Sequence, residues 1–163
     1  MSRIYTIELP KVSRTTSFDY FELTPADDKP CRLIYLDIGQ TTELGDAAEE
    51  RMEWTIRRGG TGMTAGSGGT GSVAAGSGVG KDAGIDPASG FTYDAGNTTV
   101  ATFTSGVIVW HSAYNLRTGL IWPPFPEMWI GVSQANGGLV VRLESTPADS
   151  IDFVGTAVVE ELP

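Results

Sequence analysis

Short segments in which polar and apolar residues alternate recur along the chain, and this period of two is the strongest constraint on its fold. In the first segment, RIYTIEL, the alternation places Ile4 and Tyr5 on opposite faces of a strand, with Ile7 and Leu9 beside Tyr5. The other segments are residues 17–23 (SFDYFEL), 31–38 (CRLIYLDI), 51–57 (RMEWTIR), 98–116, 128–133 (MWIGVS), 138–145 (GLVVRLES) and 151–162 (IDFVGTAVVEEL). They are rich in β-branched and aromatic residues and are bounded by turn residues, which predicts about eight to ten strands.

Helical patterns are scarce, and only residues 45–52 (GDAAEERM) have one. Because no helices alternate with the strands, a parallel α/β sheet is disfavoured. The chain of 163 residues has the length of one domain, and its single cysteine, Cys31, excludes an internal disulfide framework. We therefore expect one all-β domain over residues 1–163, an antiparallel β-sandwich of jelly-roll type.

Turn residues separate the predicted strands. Asn136, Gly137 and Gly138 stand between two of them, and an Asn-Gly pair is a strong signal for a tight β-hairpin. The tetrapeptide Thr-Pro-Ala-Asp occurs at residues 24–27 and again at 146–149. Proline suits the first central position of a turn, and aspartate can bond the backbone that follows. The repeat marks either equivalent corners of two β-layers or convergent turn chemistry.

A glycine-rich tract covers residues 59–82 (GGTGMTAGSGGTGSVAAGSGVGKD). Residues 66–71 spell GxGxxG, but a dinucleotide site needs a strand before this motif and a helix after it, and glycine-rich sequence lies on both sides. Residues 76–81 resemble a P-loop with the wrong spacing, since Asp82 stands where a Ser or Thr would bind metal. Too few strands lie on either side of the tract for two sandwiches, so we expect a long flexible loop within one domain.

The charge balance disfavours whole classes of partner. The formal net charge is −9, and the 11 Lys and Arg residues are scattered rather than gathered in a basic stripe. We therefore expect neither nucleic acid nor a membrane surface as a partner. The N-terminal segment alternates and lacks an apolar h-region, so we expect no signal peptide. No apolar run approaches the roughly 18 residues of a membrane span.

Residues that carry catalytic or metal chemistry are few. The only histidine, His111, lies on a predicted strand beside Ser112, and strand neighbours point to opposite faces, so they cannot act directly as base and nucleophile. One histidine and one cysteine cannot build a Cys/His zinc site. We expect no enzyme, no catalytic residues, no metal and no cofactor.

Acidic clusters and tryptophans leave weaker alternatives open. Carboxylates pair at residues 27–28, 49–50 and 160–161, where a glycosidase pair or a calcium loop using Asp27, Asp28 or Asp46 is conceivable. Solvated acidic turns explain the same clusters more simply. The tryptophans at 54, 110, 122 and 129 could stack on sugar rings, although core packing is the more common role.

Several blocks together resemble a family of small proteins encoded by tailed bacteriophages and prophages. The blocks are FELTPADDKPCRL, GDAAEE followed by IRRG, the glycine tract, GFTYDAGNTTVA, NLRTG, PFPEMW, LVVRLESTPAD and VGTAVVEEL. They cover nearly the whole chain. The resemblance implies a virion structural protein, most simply a decoration or cement protein on the outside of the capsid, made in the host cytoplasm. It assigns no catalytic residue.

In this role the partner would be the major capsid protein, and analogy with other phage decoration proteins suggests a homo-oligomer, a trimer. An edge strand can extend a neighbour's sheet, and RIYTIEL, with Ile4 and Tyr5, is a candidate for this. The preferred contact segment is WPPFPEMW, which is aromatic and stiffened by proline. Its candidate contact residues are Trp122, Pro123, Pro124, Phe125 and Trp129.

Two other functions compete with capsid decoration. A tail or host-recognition component would bind surface carbohydrate through exposed tryptophans and occur in few copies per virion. A hydrolase with a carboxylate pair would turn over a polysaccharide, and a single carboxylate-to-amide substitution would abolish its activity.

Overall fold

The computed structural model describes residues 2–42, 50–60, 62–74, 89–122 and 125–163. The strands are β1 (Arg3–Arg14), β2 (Phe18–Thr24), β3 (Cys31–Gln40), β4 (Arg51–Gly59), β5 (Met63–Thr64), β6 (Thr70–Ala74), β7 (Thr92–Asn97), β8 (Thr102–Phe103), β9 (Gly106–Asn115), β10 (Leu120–Trp122), β11 (Ile130–Val132), β12 (Leu139–Leu143) and β13 (Ile151–Glu161). Two short 3-10 turns cover Pro126–Met128 and Gln134–Asn136. Among these described residues, no helix has the length and apolarity needed to cross a membrane.

The strands build two antiparallel sheets that pack face to face. The five-stranded sheet has the order β1-β13-β3-β10, and β11 also pairs with β3. The six-stranded sheet has the order β6-β7-β2-β12-β4-β9, and a small separate ladder joins β5 to β8. The predicted all-β sandwich is therefore confirmed, and the jelly-roll connectivity stays a prediction. Of the predicted helix, residues 45–49 lie outside the described residues, while Arg51 and Met52 begin β4.

The core lies between the two sheets and is filled by the inward faces of the long strands. In β1, Tyr5, Ile7 and Leu9 are buried on one face, as the alternation predicts. At the centre, four rings from β2, β4 and β13 pack with centroid separations of 5.5 to 6.4 Å. They belong to Phe18, Tyr20, Trp54 and Phe153. Aromatic pairs at such spacing each add about 0.5–1.5 kcal/mol beyond the area they bury.

Both Thr-Pro-Ala-Asp copies lie where the chain crosses between the sheets. The first connects β2 of the six-stranded sheet to β3 of the five-stranded sheet, and the second connects β12 to β13 in the same sense. The two copies therefore mark corners of the two β-layers. The tight turn in the first copy is Ala26 to Lys29, closed by the Lys29 N–H on the Ala26 carbonyl at 3.3 Å. Pro25 therefore precedes the turn instead of taking its first central position.

The hairpin predicted at residues 136–138 is wrong. β11 pairs with β3 in the five-stranded sheet, whereas β12 pairs with β2 and β4 in the other sheet. The turn passes the chain from one layer to the other, and Gly137 adopts a φ of +77° there. A Cβ at Gly137 would lie 2.4 Å from the Met63 backbone nitrogen, so glycine also permits a close approach.

The long flexible loop predicted over residues 59–82 is also wrong for the part that the structure describes. Met63–Thr64 forms β5, and Thr70–Ala74 forms β6, the edge strand of the six-stranded sheet beside β7. Residues 75–82 lie outside the described residues. The tract re-enters the sheet because its backbone pairs with β7, where Thr70 lies opposite Ala95 and Ala74 opposite Thr92. Phe91, just beyond the tract, is buried edge-on against Tyr5 at 5.2 Å.

Candidate protein-contact surface

The exposed large hydrophobic side chains are concentrated at one pair of sheet edges. Here the six-stranded sheet ends at β9 and the five-stranded sheet ends at β10 and β11. Every exposed large hydrophobic side chain among the described residues lies on β9, on β10 or in the 125–129 segment that follows. They are Val107 (52% exposed), Ile108 (48%), Val109 (37%), Ile121 (63%), Phe125 (61%) and Met128 (41%). We call these six side chains the apolar flank.

Strand β9 is exposed along most of its length. It pairs antiparallel with β4, and in the described part of the chain no other strand pairs with it. The register shifts opposite Ile56 and Arg57, so Val109 forms a β-bulge between Trp110 and Ile108. Apart from His111, the ten residues of β9 carry no ionisable group other than the Tyr114 hydroxyl. An apolar, β-branched edge strand is a template for pairing with another chain.

Two tryptophans close the gap between the sheets beneath the flank. Trp110 of β9 meets Trp122 of β10 edge to face at 5.2 Å and stacks on Tyr114 at 6.0 Å. Trp122 is thereby buried, with 2% of its surface exposed. The contact joins the edges of the two sheets and holds β9 and β10 on one side of the molecule.

The 125–129 segment projects from the edge of the five-stranded sheet. β10 and β11 both pair with β3, where Trp122 lies opposite Leu36 and Ile130 opposite Leu33, so the chain between them leaves the sheet. The segment turns tightly, with the Met128 N–H donating to the Phe125 carbonyl at 2.8 Å. This turn presents the side chains of Phe125 and Met128 to solvent.

The structure divides the predicted contact residues into three groups. Tyr5 and Trp122 are buried in the core at 0% and 2% exposure, so predicting them as contact residues was wrong. Ile4 and Trp129 are half-buried, and Phe125 is exposed. Pro123 and Pro124 lie outside the described residues. The predicted edge strand itself is confirmed, because β1 is the edge of the five-stranded sheet.

The sequence did not indicate that the remaining members of the apolar flank are exposed. Val107, Ile108 and Val109 form an uncharged β-branched run, which is typical of a strand buried on both faces. Only the strand order shows that β9 is an edge. Met128 lies in the contact segment predicted from its aromatic and proline content, and Ile121 immediately precedes that segment, but nothing in the pattern distinguished either from core residues.

The tryptophans do not form a sugar-binding platform of four rings. Trp54 and Trp122 are each 2% exposed, while Trp110 and Trp129 are half-buried. Stacking on a sugar requires an open ring face, so Trp54 and Trp122 cannot serve in that way.

On the outer face of the six-stranded sheet lies a buried polar cluster, in which the first group is an ion pair. Asp19 of β2 is fully buried and accepts two hydrogen bonds from the Arg142 guanidinium of β12. The same carboxylate accepts the Ala101 N–H, and Arg142 donates to the Ala101 carbonyl at 2.7 Å. The pair therefore binds the chain at Ala101 to the sheet.

The second group of the polar cluster holds the glycine tract. The carboxylate of Glu22, 2% exposed, accepts from the Asn97 amide at 2.7 Å and from the Gly66 N–H at 3.0 Å. The Asn97 side-chain oxygen accepts the Gly69 N–H at 3.1 Å. Burial raises the pKa of the Glu22 carboxyl from 4.5 to about 7, while the hydrogen bonds from Asn97 and Gly66 act in the opposite direction. The tract thus adds a backbone hydrogen bond to a buried carboxylate whose other partner, Asn97, belongs to the sheet.

Groups with catalytic potential have structural partners. His111 lies on the outer face of β9 with its Nε2 2.6 Å from Oε1 of Glu53 on β4. Burial raises the pKa of the Cys31 thiol to about 12, which keeps it in the unreactive neutral form. Within the described ranges, no group of three or more His, Cys, Asp or Glu side chains could hold a metal ion.

Comparison of the chain with protein-family models, with curated proteins and with solved structures finds no match.

Proposed function

We propose that the protein is a non-catalytic structural component of a bacteriophage virion, which binds the outside of the capsid as a decoration or cement protein. The observation that carries this proposal is the apolar flank, in which all six exposed large hydrophobic side chains of the described residues lie on the adjacent sheet edges β9 and β10 or in the 125–129 segment. Exposed large apolar side chains that concentrate at one part of a surface are typical of protein contact sites. The resemblance to phage virion proteins is the reason for proposing a virion as the assembly to which the protein belongs. The major capsid protein is the proposed partner.

Within the flank, the 125–129 segment is the proposed shell contact. Phe125 and Met128 project from the sheet edge, so they can enter a pocket on another surface without disturbing the sandwich core. The tight turn behind Phe125 fixes the backbone in advance and lowers the entropic cost of binding. Each copy need bind only modestly, because many copies on one lattice reinforce the shell together.

The first test is the copy number of the chain in purified virions relative to the major shell protein, measured by quantitative mass spectrometry. A ratio near one, or a simple fraction of one, supports capsid decoration. A handful of copies per virion contradicts it and places the protein at the tail or a single vertex. Absence of the protein from the virion contradicts any virion structural role.

The second test locates the contact. Purified shells that lack the protein are mixed with the wild-type chain or with Phe125→Ser, and co-sedimentation is measured against protein concentration. We expect Phe125→Ser to weaken binding by tenfold or more, since a buried aromatic anchor is worth about 2 kcal/mol or more at an interface. The control is Phe103→Ser on β8, a half-buried phenylalanine outside the segment, which should bind as the wild type does wherever it remains folded. Equal binding by Phe125→Ser would place the contact elsewhere.

A further inference from the structure

The edges of the two sheets differ in how well they are protected against pairing with another chain. β1, the edge of the five-stranded sheet, carries charged residues at Arg3, Glu8 and Lys11. Pro10 removes a backbone donor, and the register with β13 shifts between Leu9 and Val12. Charges, proline and a bulge are the devices that keep an edge strand from extending its sheet.

Two further edges are short. β6 has five residues, and β10 and β11 have three residues each, separated by the projecting 125–129 segment. A short edge offers few backbone groups and pairs weakly.

β9 is neither short nor protected by charges or proline, and its one protective feature is the bulge at Val109. It runs for ten residues and contains no Asp, Glu, Lys, Arg or Pro. Its apolar run, Val107 to Val109, is between 37% and 52% exposed. Across the strand pair, Arg57 lies opposite Ile108 and Arg58 opposite Val107. Arg57 is paired with Glu144, and Glu53 is bonded to His111. In the described part of the chain β9 is therefore the long edge that remains open to a partner strand.

We infer that β9 pairs antiparallel with β9 of a second copy of this chain, so that two six-stranded sheets join into one continuous sheet. The distribution of charge favours a second copy of the chain as the partner. The chain has a net charge of −9, and copies repel one another wherever carboxylates face each other. β9 has no charged carboxylate or ammonium group of its own, and the charged residues beside its apolar run, Arg57 and Arg58, lie on β4 one strand away, so two copies can meet there with no carboxylate on either of the paired strands.

The geometry of an antiparallel pair is self-complementary. A two-fold axis near Ile108 sets the apolar run of one copy against the same run of the other, and the free backbone groups of both strands pair. Because each copy has one such edge, the pairing uses up both edges and closes as a dimer. This assembly is separate from the proposed shell contact, which uses Phe125 and Met128.

The experiment measures the mass of the purified protein by sedimentation equilibrium over a hundredfold range of concentration. We expect the wild type to reach twice the 17.3 kDa of one chain. Ile108→Lys places two ammonium groups near the axis and should stay monomeric at concentrations where the wild type is a dimer. The matched control, Ile121→Lys, changes an exposed isoleucine on β10 and should dimerise as the wild type does. A wild type that stays monomeric, a trimer, or an Ile108→Lys chain that still dimerises would overturn the inference.

A second measurement does not depend on the lysine variant folding. Cys31 is fully buried, so an added exposed cysteine is the only one open to oxidation under native conditions. Under a mild oxidant such as diamide, Ile108→Cys should form a covalent dimer, while Ile121→Cys should not. Failure of Ile108→Cys to cross-link, or equal cross-linking by both variants, would contradict pairing through β9. Shell binding is measured separately, so either proposal can fail while the other stands.

Discussion

At the scale of single residues, the buried ion pair between Asp19 and Arg142 holds the chain at Ala101 against the outer face of the six-stranded sheet. Asp19 has no solvent exposure, so removal of the guanidinium would leave its charge buried and unpaired. We expect Arg142→Met to lower the free energy of unfolding by about 3–5 kcal/mol, measured by urea denaturation. Arg51→Met, at an exposed position of β4, should change it by less than about 0.5 kcal/mol. Equal effects of the two substitutions would show that the pair is not critical.

Glu22 makes the stability depend on pH. Burial raises its pKa in the folded protein from 4.5 to about 7, so the folded state binds a proton more tightly than the unfolded chain. Its contribution is therefore fully present below about pH 4.5 and is lost as the pH rises through about 7. Glu22→Gln keeps an acceptor for the Gly66 N–H but cannot titrate. We expect the free energy of unfolding of the wild type, measured by urea denaturation, to fall between pH 5 and pH 8 relative to that of Glu22→Gln. Parallel plots of this free energy against pH for the two proteins would contradict the assignment.

At the scale of elements, the glycine tract is part of the sheet because its backbone approaches β7 and Glu22 closely. A Cβ at Gly66 would lie 2.3 Å from the Thr99 carbonyl oxygen, so the chain must move to accommodate it. We expect Gly66→Ala to lower stability by about 1–3 kcal/mol, seen as a fall in the melting temperature of several degrees. Gly131→Ala on β11 is the matched control, since nothing lies within 4 Å of its added carbon. An unchanged melting temperature for Gly66→Ala would show that the tract is loosely held.

The elements also show where local patterns are sufficient. The alternation in β1 correctly placed Tyr5, Ile7 and Leu9 on one face, because the period of two is a property of the strand itself, but it did not show that this face is the buried one. The Asn136 to Gly138 turn was misread as a hairpin, because turn chemistry sets the local bend and not the sheet that the next strand joins. The strand in the glycine tract was missed for a related reason. β6 depends on partners in β7 and on Glu22, which are distant in sequence.

At the scale of the whole molecule, the exposed hydrophobic side chains lie at the edges formed by β9 and β10, and the polar cluster lies on the outer face of the larger sheet. The apolar flank offers two separate proposals, a shell contact at Phe125 and Met128 and a second copy at β9. The polar cluster lies under the chain at Gly66 and Ala101 and serves the stability of the sheet. Substitutions on the flank should therefore alter assembly, while substitutions in the cluster should alter unfolding.

The sequence by itself determined the all-β class, most of the long strands and the division of β1 into two faces, because alternation and turn residues act over a few neighbouring positions. Only the tertiary structure decided which strands lie at the edges. The run at Val107 to Val109 would suit a central strand, but β9 lies at an edge, so its apolar side chains are exposed. Trp122 lies at an edge yet is buried, because Trp110 of the other sheet covers it. The exposure of a side chain depends on the neighbours that folding brings beside it, and the sequence of a single strand does not show which neighbours these are.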